Sequence, residues 1–153
     1  MKLFYIVKNY YFCGEKSKQK SMVKKNPVEE ARRYVDNAKS LLLEHGELDM
    51  ETRSYGDPKY VKMAGNTLWS GVLLVLDAVF HVRKDRRTRV HIEDYQEAVG
   101  NRDKKLLQYV NNGYDIMHLY MGYDGVQDKD TCDSGFRIAR TIIDRCATML
   151  VVA

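Results

Sequence analysis

A chain of 153 residues has the size of one domain and is long enough to bury a core without disulfide or metal staples. Hydrophobic residues at 44% and charged residues at 30%, with only two prolines and ten glycines, exclude a disordered or loop-rich composition. The formal charge of +4 is lopsided, because residues 1–25 carry seven lysines and one glutamate, so the rest is at −2; a whole-surface argument for nucleic-acid binding is excluded, and only a local patch can carry one.

The first segment, MKLFYIVKNYYFCGEK, does not read as a signal peptide. Its apolar run is short, is broken by Lys8 and lacks a small-residue cleavage site. GEKSKQKSMVKK is polar, lysine-rich and without period, the composition of a flexible link. Residues 1–25 are therefore expected to form a flexible basic extension before a domain at 26–153. Met22, next to the first helix signal, is then an alternative to Met1 as the start of translation. A lone edge strand, LFYIV, is the other reading of this segment. The cysteines, Cys13, Cys132 and Cys146, show no paired spacing. That spacing argues against a disulfide framework or zinc ribbon and for a reducing cytoplasm, and Cys146 reads as core packing.

NPVEEARRYVDNAKSLLLEHG opens the fold. Asn26 can cap a helix, Pro27 suits its first position, and Glu29 and Glu30 favour the positive end of its dipole. Val28, Ala31, Val35, Ala38 and Leu42 form one apolar face, and Gly46 supplies a stop. GDPKYVKMAGNTLWSGVLLVLDAVFHV repeats the start signal with Asp57 and Pro58. Leu68, Val72, Val75 and Val79 form one stripe, with Trp69, Leu73, Leu76 and Phe80 beside it, the pattern of a central helix. Ala64, Gly65, Ser70 and Gly71 would let a neighbour approach closely. The most apolar part, LWSGVLLVLDAVFHV, is short for a bilayer span and carries Asp77, so it reads as a buried helix with no membrane role.

RKDRRTR (83–89) reads as a loop and HIEDYQEAVG as a short helix stopped by Gly100. NRDKKLLQYVNNGYDIMHLYMG reads as a third long helix ending at Gly122, with Leu106, Val110, Tyr114, Met117 and Met121 on one face. YDGVQDKDTCDSG reads as a turn before a last helix carrying Phe136, Ala139, Ile142, Ile143, Cys146 and Met149. The expected fold is all-α, an up-and-down four-helix bundle with one short additional helix.

Two groups stand out as sites. His118 shares a helix face with Tyr114 and Met121. It is either a general acid–base group or a half-buried histidine hydrogen-bonded to a tyrosine or a carbonyl, and no acid, serine or cysteine stands at a triad spacing. The cationic loop holds Arg83, Lys84, Arg86, Arg87 and Arg89 around Asp85, a patch able to grip the phosphates of RNA or else a solvated connection. Arg86 and His91 spell a short Arg-x4-His, which a chain this rich in arginine produces by chance. The histidines, His45, His81, His91 and His118, are scattered without metal-ligand spacing. GYDGV lacks the lysine and preceding strand of a phosphate loop. No metal or cofactor is expected.

KYVKMAGNTLWSGVLLVLDAV, IEDYQEAV and LLQYVNNGYDIMHLYMGYDG resemble the HEPN (higher eukaryote and prokaryote nucleotide-binding) superfamily. More narrowly, they are similar to a group of small uncharacterised bacterial proteins of that type, over about residues 26–150. The resemblance implies a helical bundle that pairs into a homodimer near its third and fourth long helices. In active HEPN ribonucleases four to six residues stand between an arginine and the histidine that follows it, at the end of the third long helix. By that frame His118 takes the histidine position and Tyr120 that of the toxin subgroup's His-x-Tyr. Asn111, Asn112 and Gly113 stand at 111–113, where the arginine would be sought. The expectation is a non-catalytic binding or assembly module, with RNA or a partner protein as ligand. The alternative is a degenerate or unusual ribonuclease or a toxin–antitoxin component.

Overall fold

The N-caps foreseen at Asn26 and Asp57 start the first two helices in the computed structural model, which describes residues 26–152 apart from 86 and 88. The basic segment 1–25, Met22 and Arg86 lie outside the described residues. The Asn26 side chain accepts from Val28 N at 3.0 Å, and that of Asp57 from Lys59 N at 2.9 Å. Helix α1 then runs Pro27–His45 and α2 Pro58–Phe80. They are followed by α3 (Ile92–Gly100), α4 (Lys104–Gly113), a π-helical segment (Tyr114–Asp124) and α5 (Lys129–Val152). The described chain is predominantly helical.

α2 packs against α1, α3, α5 and the π segment. Both of its stripes are used: Leu68, Val72, Val75, Leu76 and Val79 are buried, as is Trp69, with Leu73 and Phe80 half-buried against them. α2 is long and apolar enough to cross a membrane by length and composition, yet half of its most apolar stretch is buried within the protein. Two glycines set its distance from its neighbours. A Cβ on Gly71 would lie 2.7 Å from Tyr34 Cβ on α1. A Cβ on Gly65 would lie 2.6 Å from Met117 O, Gly122 N and Met121 Cβ of the π segment.

Two local expectations are corrected, and one element is added. The third long helix does not end at Gly122 and is not α-helical throughout. From Tyr114 it widens into i→i+5 bonding, which keeps Met117 and Met121 buried, and it ends at Asp124 with Gly125 in the left-handed region at φ 71°. The stretch read as a turn up to Gly135 is helical from Lys129, because Asp128 accepts from Thr131 N and Oγ1, each at 2.7 Å, as a helix cap does. Residues 48–55, given no element by periodicity, form a small ribbon. β1 (Leu48–Asp49) pairs antiparallel with β2 (Ser54–Tyr55) in the register Leu48 to Tyr55 and Asp49 to Ser54. Bonds from Tyr55 N to Gln127 O and from Lys129 N to Arg53 O, both 2.9 Å, tie the ribbon to the start of α5.

α4 is anchored at its first turn. Asp103 caps it through Leu106 N at 2.9 Å and also accepts from Arg145 Nε at 2.6 Å and Nη2 at 3.1 Å. The Arg145 hydrogen bond holds the Asp103 carboxyl below the usual carboxylate range.

Gly65→Ala is expected to destabilise the domain by about 1–3 kcal/mol in urea unfolding. The clash is with backbone, and it outweighs the gain of about 1 kcal/mol in helix propensity. Gly100→Ala meets only the flexible end of Leu107 and should be close to neutral. Equal losses at both positions would contradict the close-approach account.

Asp103→Asn leaves a residue that caps as well as aspartate, so its expected cost of up to about 1 kcal/mol at neutral pH comes from the lost charge on the Arg145 pair. Because the folded carboxyl titrates below its unfolded value of about 3.9, its charge stabilises the fold above that value. The contribution is lost as pH falls through the lower, folded value. The difference between wild type and variant in urea midpoint should therefore shrink on acidification below about pH 4; a constant difference would contradict it.

Candidate functional site

Beyond the Gly65 contact, Trp69 stands one turn further along α2 and meets the inner face of the π segment. Tyr114 and His118 are four residues apart there and stack at 5.1 Å between ring centroids. Trp69 lies edge-on to Tyr114 at 5.8 Å and tilted over His118 at 6.3 Å. Trp69 is buried, while Tyr114 and His118 are half-buried. These rings line one side of a cleft of about 420 Å³.

The chain entering α3 makes the other side. His91 N donates to Asp94 Oδ2 at 2.7 Å, which fixes the start of α3, and Arg89, His91 and Glu93 line the cleft with Tyr95. The Tyr95 hydroxyl donates to Asp77 Oδ1 at 2.9 Å, and Arg83 Nε lies 3.7 Å from Asp77 Oδ2. Burial, reinforced by the Asp77 carboxylate, pushes the Tyr95 phenol up to about 12, so it remains a proton donor at neutral pH.

The cationic loop is thus divided. Arg83 is spent on Asp77, and Lys84 and Arg87 are exposed outside the cleft. Arg89 alone of the described loop cations reaches the cleft that holds His118. Tyr120 does not join His118. Two residues apart, their side chains leave the helix on different sides, and Tyr120 is 48% exposed and outside the cleft. Of the three positions where an arginine was sought, Asn112 is exposed, Asn111 has a structural role and Gly113 has no room. Asn111 accepts from Gln96 Nε2 at 3.0 Å. Gly113 is buried, and a Cβ there would lie 2.7 Å from Met117 Cε and 3.3 Å from Ile138 Cγ2.

Among the described residues the His118 imidazole is engaged by ring contacts and by no hydrogen bond or ion pair. The hydrogen bond to a tyrosine or carbonyl expected from the sequence is therefore replaced by stacking. Cys132 and Cys146 are buried, and burial pushes both thiols up to about 12, which makes them inert as nucleophiles. The cleft offers rings for stacking and a cation for an anionic group, and among the described residues that line it no nucleophile is aligned on a base. Trp69 and Tyr95 were read from the sequence as core or helix residues only. The signal for them was spacing: Trp69 follows the close-contact Gly65 by four, and Tyr95 follows His91 by four, each on one helix face.

A family described as a domain of unknown function, DUF5618, matches residues 26–148. A solved structure of a protein of unknown function from Dyadobacter fermentans is similar with a TM-score of 0.71 at 40% identity, over 78% of this chain and 93% of that one. No curated protein matches the chain. The matched stretch contains every residue of the cleft and runs from the cap at Asn26 to the last turns of α5, and on that extent the chain belongs to the DUF5618 family.

Proposed function

We propose that this domain is a non-catalytic binding module, built as a HEPN-like four-helix bundle, whose cleft at His118 takes single-stranded RNA. One observation carries the reading: the Trp69–Tyr114–His118 stack and Arg89 share one cleft. Bases stacked on aromatic rings with phosphates met by arginine are the chemistry of single-strand binding. The exposed Lys84 and Arg87 extend the cationic path beyond the cleft. Catalysis is disfavoured because, among the described residues, no cation or proton-transfer partner is hydrogen-bonded to His118.

The runner-up is an unusual ribonuclease, as in a toxin–antitoxin pair. It is favoured by the presence of Arg89 and His91 in the same cleft as His118, which supplies by a different route the cation missing at 111–113. A labelled single-stranded RNA incubated with the full chain separates the two. Binding without cleavage is expected, weakening by several decades between low and moderate salt if several phosphates are contacted. Arg87→Ala with Arg89→Ala should weaken it and flatten the salt dependence by roughly one unit of slope per lost phosphate contact. Cleavage by the wild type that His118→Ala abolishes without unfolding would replace this reading with the ribonuclease, and the absence of any RNA binding would overturn both.

The module is further proposed to act as a cytoplasmic homodimer. Met63 of α2 and Tyr120 and Tyr123 of the π segment are exposed at 42%, 48% and 76%, on two elements joined at Gly65 and Gly122. Apolar side chains left out on adjoining elements suit an isologous contact. Light scattering at micromolar concentration should give a dimer that Tyr123→Glu weakens; a wild-type monomer would contradict the proposal.

A further inference from the structure

A second concavity, of about 590 Å³, lies between α1 and α5 and is closed at one end by the ribbon. It shares no residue with the cleft at His118. Its floor is apolar: Leu42, Tyr55 and Phe136 are buried beneath it, and Leu48 and Leu43 stand at its edge, Leu43 at 74% exposed. Leu43 adds apolar surface to the edge of the groove, and a ligand that covered it would gain its burial.

The rim is charged and unbalanced. It holds Lys39, Lys129, Arg137 and Arg140 against two carboxylates, Asp133 and Asp144. Both carboxylates are already paired, Asp133 with Lys129 and Asp144 with Arg32. Among the described residues no carboxylate pairs with Lys39, Arg137 or Arg140, and Arg137 meets only the neutral Ser134 hydroxyl at 2.8 Å. The groove therefore combines an apolar floor with three cations lacking carboxylate partners.

We propose that this groove docks an acidic amphipathic helix of a partner protein, with its leucine-type face on Leu42, Leu43 and Phe136 and its carboxylates on Lys39, Arg137 and Arg140. A helix laid between two helices is an established recognition mode for an apolar groove. The charge decides the occupant. A second copy docked through the same face would set the same surplus of cations against itself, which electrostatic complementarity disfavours. The surface is concave between two helices, whereas a bilayer presents a broad, flat face.

The test uses the full chain and two fluorescent synthetic helical peptides of about five turns. Both carry the same leucine face; one has glutamate and the other lysine at the flanking positions. Anisotropy should show saturable binding of the glutamate peptide and none of the lysine peptide. Arg137→Glu with Arg140→Glu, both exposed positions, should weaken the glutamate peptide by at least about tenfold and confer binding of the lysine peptide. Leu43→Asp should weaken the glutamate peptide while leaving the melting temperature near wild type. Failure of the glutamate peptide to bind the wild type, or its undiminished binding to the arginine variants, would overturn the proposal. So would dissociation of a wild-type dimer by Leu43→Asp, which would assign the groove to a second copy. Binding of anionic phosphatidylserine vesicles through Arg137 and Arg140 without peptide binding would assign it to a membrane and overturn the proposal too.

Discussion

The contact of two backbones at Gly65 and Gly122 is the constraint on which the rest of the arrangement depends. A Cβ on Gly65 would meet main-chain atoms of the π segment, and one on Gly122 would lie 2.8 Å from Asn66 Oδ1 and 2.9 Å from Met117 O. Asn66 Nδ2 donates to Gly122 O at 3.2 Å across the same junction. Small residues at a helix crossing let the axes come closer than larger side chains permit. One turn on, Trp69 stands edge-on to Tyr114 and tilted over His118, and the cluster lines the cleft.

The π segment is the second part of that arrangement. Such segments are rare and usually a single turn long, and they are frequent at functional sites. This one spans eleven residues. Its wider turn leaves Tyr114 and His118 on one face while Met117 and Met121 fill the core beneath α2 and Gly135 of α5. The same sequence as a regular α-helix would also place Tyr114 and His118 together, which is why their pairing is legible from spacing alone. The backbone register that decides what His118 touches is not encoded in any one side-chain type.

What was legible in the sequence was local and periodic. Every residue assigned to the inner face of α1, from Val28 to Leu42, is buried. Caps at Asn26 and Asp57 were legible because a side-chain acceptor two residues before a free N–H is a short-range signal. The ribbon at 48–55 was not, since strands of two residues cannot show a period of two. It is held instead by turn chemistry: Asp49 accepts from Glu51 N at 2.8 Å, and Glu47 and Arg53 adopt positive φ. The start of α5 was hidden by Gly135, a residue that reads as a breaker but serves packing, where a Cβ would lie 2.8 Å from Met121 Sδ. At the cleft, His118 and the cationic loop were visible separately. Their convergence through Arg89 is a property of the tertiary fold, as is the division of labour that ties Arg83 to Asp77 and leaves Arg89 free to line the cleft.

The central claim is that the Trp69–Tyr114–His118 face is a stacking surface for a ligand. Trp69 is the single tryptophan of the chain, so its fluorescence reports on this face alone. Titration of the full chain with a short single-stranded oligoribonucleotide should quench and shift Trp69 emission saturably, with the midpoint moving to higher concentration as salt is raised. Oligonucleotide binding seen by anisotropy with Trp69 emission unchanged would contradict the claim and move the ligand away from this cleft.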